Sequence, residues 1–148
     1  MPKIQQSQHN PYPPEQLYQL VNDIESYPQF LPGCSGAQIL SVEPDEICAE
    51  LSIRKGPVQL SFSTRNQLIE NKRINMALLT GPFKYFSGIW SFEATDNGSL
   101  VSLEMDFALS NGLLQVTLGP ILQKLTQDMV DVFLNRAEKI YGGVELGH

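Results

Sequence analysis

The segment Gly112-Leu-Leu-Gln-Val-Thr-Leu-Gly-Pro-Ile-Leu-Gln-Lys-Leu-Thr-Gln-Asp-Met-Val-Asp-Val-Phe-Leu-Asn-Arg-Ala-Glu-Lys-Ile-Tyr141 decides the fold. At a helical step of about 100° per residue, Leu118, Leu122, Leu125, Met129, Phe133 and Ile140 fall on one meridian. Ile121 and Val132 flank it on one side, Val130 and Ala137 on the other. Gln123, Lys124, Gln127, Asp131, Asn135 and Glu138 take the opposite side, so the helix has a wet face and is neither a buried rod nor a membrane span. Gly119-Pro120 interrupts the front end. Proline cannot donate to the carbonyl four residues back, which predicts either a kink or a fresh helix start with Pro120 in its first turn. Lys139 suits the negative end of the helix dipole, and Gly142-Gly143 supplies a residue able to take positive φ, which sets the stop. An apolar face this wide needs a concave partner. The chain before it reads mostly as strand, and a curved antiparallel sheet closing around one long helix satisfies both.

Working back from the helix, Val101, Leu103, Met105, Phe107 and Leu109 alternate with Ser102, Glu104 and Asp106, one inward face and one solvent face. Asp96-Asn97-Gly98 is a strong hairpin signal ahead of this strand. Phe83 to Ala94 precedes it, and Gly81-Pro82 separates that run from Ile74 to Leu79. Earlier, Val58, Leu60, Phe62, Thr64 and Leu68 alternate with Gln59, Ser61, Ser63, Arg65 and Gln67. Gly56-Pro57 turns the chain from Ile47, Ala49, Leu51 and Ile53, which alternate with Cys48, Glu50, Ser52 and Arg54. Pro44-Asp45 closes a strand that begins near Ser35 and holds Ile39 and Val42. Before it, Pro13-Pro14 opens a helix carrying Leu17, Leu20, Val21 and Ile24 at helical spacing, and Ser26 to Leu31 reads as a further short helical turn ended by Pro32-Gly33. Lys3 to Gln8 is a short polar strand suited to a sheet edge. The order predicts an α+β fold: six to seven antiparallel strands around a long C-terminal helix, with two short helices after the first strand. One domain over residues 1–143 and a tail over 144–148 are expected.

With 42% apolar and 18% charged residues, the 148-residue chain has the composition of a globular domain with a substantial core. No apolar run approaches the roughly 20 residues of a membrane helix, and no signal peptide is recognised, so a cytoplasmic location is expected, with contact at the inner membrane at most peripheral. Cys34 and Cys48 have neither the number nor the spacing of a disulfide framework or zinc site. A net charge of −6 opposes generic attraction to nucleic acid, and no DNA partner is expected.

Only His9 and His148 are available for imidazole chemistry, one at the end of an edge strand and one at the last position; both read as solvated bystanders. No cluster has metal-ligand spacing, the glycines form no phosphate loop, and no carboxylate stands out as an acid or base, so neither a metal nor a catalytic group is assigned. The informative feature is the set of inward aromatic and sulfur-bearing residues: Phe62, Phe86, Trp90, Phe92, Met105, Phe107, Met129 and Phe133. Each alone reads as ordinary core. Together, on a sheet curved around one helix, they are expected to line a cavity able to hold a lipid or polycyclic guest, with methionines adapting to its shape. Arg136 falls inside the apolar meridian: it either buries its stem and reaches water near the helix end, or anchors the polar group of a guest. Strand parity points Arg65 outward, toward a surface ion pair or partner.

Tyr27-Pro-Gln-Phe-Leu-Pro-Gly-Cys34, Phe62-Ser-Thr-Arg-Asn66, Gly81-Pro-Phe-Lys-Tyr-Phe-Ser-Gly-Ile-Trp-Ser-Phe92 and the terminal helix through Asn135-Arg-Ala137 and Tyr141 closely resemble the bacterial ribosome-association toxins and mitochondrial coenzyme-Q-binding proteins. These belong to the START-like, polyketide-cyclase-related (SRPBCC) superfamily. The resemblance spans nearly the whole chain and implies a helix-grip domain with a hydrophobic cavity. It implies ubiquinone as a bound guest, with support of respiration and no catalytic cofactor, or association with the large ribosomal subunit that blocks 70S formation. For the second role, Lys55, Lys72, Arg73 and Lys84 near hairpin ends are the expected contact cations. A cyclase-like enzyme is a third implication, which no acid/base motif here supports.

Overall fold

The alternating strands assemble into one antiparallel sheet. The computed structural model describes residues 3–142. Its strands are β1 (Lys3–Asn10), β2 (Cys34–Glu43), β3 (Glu46–Lys55), β4 (Val58–Ile69), β5 (Arg73–Thr80), β6 (Phe83–Thr95) and β7 (Gly98–Leu109). They lie in the order β1-β7-β6-β5-β4-β3-β2, so β2 to β7 form consecutive hairpins while β1 adds to the outside of β7. β1 is the edge strand its polar composition predicts. The helices are α1 (Pro14–Asn22), a 3-10 helix (Ile24–Gln29), α2 (Gly112–Thr117) and α3 (Gly119–Ala137), with a single π turn over Glu138–Gly142.

Pro14 stands in the first turn of α1, where its missing N–H has no partner to lose, and Leu17, Tyr18, Leu20 and Val21 bury the inner face. The break foreseen at Gly119-Pro120 is a fresh start: α2 ends and α3 begins around Leu118, which is fully buried. Leu118 N–H donates to the Leu114 carbonyl at 2.8 Å and Leu122 N–H to the Leu118 carbonyl at 2.9 Å, so the corner keeps hydrogen bonds on both sides. Asn111 Oδ1 accepts from Leu114 N–H and caps α2.

Two positions depart from the pattern. Ile140 is 41% exposed: the π turn over Glu138–Gly142 winds its residues differently from an α-helix and carries it off the meridian of Met129 and Phe133. Cys48 has the parity of the wet face yet is buried, with Arg65 opposite it across the ladder and Arg65 Nε 3.6 Å from Glu46 Oε1. That ion pair is the outward role expected of Arg65. Gly143, His148 and the tail 144–148 lie outside the described residues.

α3 lies along β1 and β7 and against α1, which also meets β6 and β7; the 3-10 helix packs on β2. Among the described residues no helix packs extensively along β3 to β5. β2 is the other free edge, and its register slips twice, between Cys34 and Gly36 and between Ile39 and Ser41.

Two hairpin glycines differ in what they permit. Gly56, at φ +59°, turns β3 into β4 with nothing within 4 Å of a would-be Cβ. Gly98, at φ +154°, opens β7 opposite Thr95, and a Cβ there would sit 2.0 Å from the Asn10 carbonyl oxygen. Gly56→Ala should therefore cost about 1 kcal/mol, the left-handed penalty alone. Gly98→Ala should cost more than about 2 kcal/mol, since β1 must shift as well. Urea denaturation of both variants checks the ordering.

Candidate functional site

Where β3 to β5 curve away from α3, the inward side chains of sheet and helix enclose a cavity of about 80 Å³. Phe62, Phe86, Trp90, Met105, Phe107, Met129 and Phe133 line it. Phe133 makes edge-to-face contacts with Tyr27, Phe30 and Trp90 at centroid distances of 5.4, 5.2 and 5.3 Å. At the other side Phe62, Phe83 and Phe86 form a second aromatic cluster with centroids 5.2 to 5.4 Å apart.

Phe92 and Arg136 are not brought to the cavity. Phe92 stacks on Trp90 at 6.1 Å and 8° and meets the edge of Tyr18 at 5.8 Å, so it belongs to the packing of α1 on β6. The Arg136 guanidinium lies 4.9 Å from the centroid of the Phe30 ring and donates through Nη2 to Gln29 Oε1 at 3.0 Å. It ties the end of the 3-10 helix to α3 through a cation–π contact and a hydrogen bond.

Several lining residues escape the parity argument or were passed over by it. Phe83 and Phe86 both face inward although three residues apart, because a bulge between Phe83 and Tyr85 resets the alternation. Tyr27, from the 3-10 helix, lines the cavity and donates its hydroxyl to the Val21 carbonyl. The polar lining consists of Thr64, Asn66 and Thr126, all buried, besides Tyr27. Thr126 Oγ1 spends its proton on the Leu122 carbonyl at 2.7 Å, and Thr64 Oγ1 donates to Asn66 Oδ1 at 2.9 Å. With Oδ1 held by Thr64, the Asn66 Nδ2 donor makes no hydrogen bond among the described residues. Asn66 shares the parity of Phe62 and Thr64, which was the available signal.

Size decides how the cavity works. About 80 Å³ is well below the roughly 150 Å³ of a cavity that accepts benzene, so a ring-sized guest enters only as side chains move. The movable side chains are methionines. Met76, Gly88 and Met105 sit side by side across β5, β6 and β7, and a Cβ on Gly88 would meet Met76 Cε at 2.5 Å and Met105 Cγ at 3.3 Å. Gly88 thus gives two flexible thioethers a hollow to lie in, beside Met129 from α3.

Among the described residues no carboxylate, imidazole, amine or guanidinium lines the cavity. Among the described residues no group of three or more His, Cys, Asp or Glu could hold a metal, and His9 is exposed on β1. Burial pushes the Cys34 thiol up, against a smaller lowering effect of the Gly36 backbone. Burial also drives the Tyr27 phenol far above its ordinary value, with Cys34 and Asp23 adding in the same direction. The unfolded phenol ionises near its ordinary value of about 10. Above that pH only the unfolded state sheds the proton, so stability is fully present below it and falls as pH rises. Tyr27→Phe should lose about 1 kcal/mol at neutral pH by leaving the Val21 carbonyl without its donor, yet show a shallower alkaline loss than the parent. Denaturant midpoints measured from neutral to alkaline pH check both.

The sequence and fold are similar to those of known proteins. Residues 10–134 match the family described as polyketide cyclase / dehydrase and lipid transport. The ribosome association toxin RatA of Escherichia coli is 40% identical over 142 residues, covering 95% of this chain and 90% of that protein. The mitochondrial coenzyme Q-binding protein COQ10 homolog B of Xenopus laevis is 26% identical over 137 residues, covering 89% of this chain and 56% of that protein. Among solved structures, the Zhui aromatase/cyclase from a Streptomyces species superposes with a TM-score of 0.79 at 16% identity, over 93% of this chain and 94% of that one. With the family match running through all but the ends and a toxin relative aligned over nearly the full length, the chain belongs to the polyketide cyclase / dehydrase and lipid transport family.

Proposed function

We propose that the protein holds a hydrophobic small molecule carrying a carbonyl, a quinone such as ubiquinone or a related isoprenoid lipid, in the cavity under α3, and leaves it chemically unchanged. The observation that carries this is the free Nδ2 donor of Asn66 in a mostly apolar, aromatic-lined space whose hydroxyls, on Tyr27, Thr64 and Thr126, donate to Val21, Asn66 and Leu122. Such a lining gains roughly 2.5 kcal/mol per 100 Å² of apolar guest surface removed from water, before the cost of association. One placed amide then fixes which end of the guest lies where. A lining without acid or base, whose one phenol has its proton committed to Val21, favours holding over transforming. The coenzyme Q-binding relative supports the choice of a quinone, and a protein that holds one would support respiration.

The single tryptophan, Trp90, lines the cavity and reports on it directly. Titration with a short-chain ubiquinone should quench its fluorescence saturably, and organic extraction of the purified protein with mass spectrometry should release a quinone or lipid. Ala49→Leu, which adds three heavy atoms to a wall of the cavity, should abolish the saturable quench while leaving a folded protein. Asn66→Leu should weaken a quinone about tenfold, near the worth of one hydrogen bond, while leaving a hydrocarbon of similar shape bound as before. Linear, non-saturating quenching that Ala49→Leu does not change would overturn the proposal.

A second reading, association with the ribosome through the large subunit, is favoured by the toxin relative at 40% identity. The four cations expected to serve it do not share one rim: Lys55 and Lys84 lie at the end of the sheet bearing the β3–β4 turn, Lys72 and Arg73 at the opposite end. Gradient sedimentation of ribosomes with saturating protein should show a loss of 70S particles; an unchanged 70S peak removes this reading.

A further inference from the structure

The protein has a chemically distinct pole. One end of the sheet carries the β3–β4 turn, the β5–β6 turn and the α2–α3 corner, drawn from segments 30–35, 54–59, 79–84 and 109–121. These segments converge. Ser110 N–H donates to the Pro82 carbonyl at 2.8 Å, and a Cβ on Gly33 would lie 3.8 Å from Ile121 Cγ2 and 4.0 Å from the Arg54 carbonyl. Their charged residues are Arg54, Lys55 and Lys84, all exposed, with no carboxylate in any of the four segments. None of the three is in an ion pair among the described residues. The opposite end carries Glu43, Asp45, Glu46, Glu70, Glu93 and Asp96 against Lys72 and Arg73. A chain of net charge −6 therefore has four segments at one end whose charged residues are all cations.

At that same end α2 presents Leu113 and Val116, three residues apart on one helical face, at 74% and 76% exposure. No residue of α2 is buried. Unpaired cations beside a protruding aliphatic pair match an anionic lipid surface, whose headgroups attract the cations while the acyl boundary accepts the aliphatic side chains. RNA would satisfy the cations and leave Leu113 and Val116 in water. The pole is also continuous with the cavity, because Leu31, Ile53, Phe83 and Leu122, at its inner side, form part of the lining.

The geometry points to a docking surface by which this pole seats on an anionic phospholipid bilayer, with Leu113 and Val116 entering the acyl boundary and the cavity facing the reservoir of its guest. The purpose rests on the hydrophobic-guest reading above, while the docking is measured without a guest. In sedimentation with vesicles of phosphatidylglycerol and phosphatidylcholine, the protein should pellet, whereas pure phosphatidylcholine vesicles should leave it in the supernatant. Leu113→Asp with Val116→Asp should abolish pelleting, and Lys55→Gln with Lys84→Gln should weaken it about fivefold per lysine. Lys72→Gln with Arg73→Gln, at the far end, should leave it unchanged. Failure to pellet with anionic vesicles, or a Leu113→Asp/Val116→Asp variant that pellets like the parent, overturns the docking. So does retention of that variant on ribosomal RNA with the parent's affinity, which would assign the pole to nucleic acid. Quenching of Trp90 by short-chain ubiquinone added from solution separates the two proposals: its loss in the parent, with pelleting intact, would sink the guest and leave the docking standing.

Discussion

A helix covers only as much sheet as it is wide. An α-helix with its side chains is about 10 Å across and strands are spaced about 4.8 Å apart, so one helix shields about two strands. This sheet has seven. α3 settles on β1 and β7, α1 and the 3-10 helix cover other parts, and the middle of the concave face is left to close on itself through curvature and side chains. The interior void follows from that mismatch of widths. Filling it would take larger side chains on β3 and β5, where Ala49 and Met76 stand instead.

The wall around the void is built unevenly. On the α3 side, Phe133 is fixed by three rings from two parts of the chain, Tyr27 and Phe30 from the region of the 3-10 helix and Trp90 from β6. Each such contact contributes about 0.5 to 1.5 kcal/mol beyond area burial, and Arg136 reinforces the cluster from outside through Phe30. On the β5–β7 side the wall is thioether over glycine, which yields at little cost. A rigid aromatic half facing a compliant sulfur half, with one amide between them, defines where a guest would be held and where room for it would open.

Much of this was legible in the residues. Period-two alternation located β3, β4 and β7, Gly56-Pro57 and the Asn97-Gly98 region located their turns, and Pro120 located the corner between α2 and α3. Local chemistry dictated each of these. What was not legible depended on contacts made from elsewhere in the chain. The β6 bulge that turns Phe83 inward leaves no trace in hydrophobic periodicity. The π turn that moves Ile140 off the helix meridian and the Phe30 ring that captures Arg136 are likewise set by tertiary packing. Asn66 is a different case: its parity was plain, but a polar residue on an inward position reads as a break in the pattern until a cavity is there to receive it.

The slipped register of β2 has a consequence for life at high concentration. Leu40 and Val42 are exposed along this free border at 49% and 66%, an aliphatic strip on which another chain's strand would otherwise be templated. Two bulges within a single strand twist it and interrupt the even spacing of its unpaired amides and carbonyls, so an incoming backbone cannot match more than a few groups in a row. The irregular border therefore acts as a guard against fibre-like stacking, and straightening it would remove that guard even if the monomer gained stability.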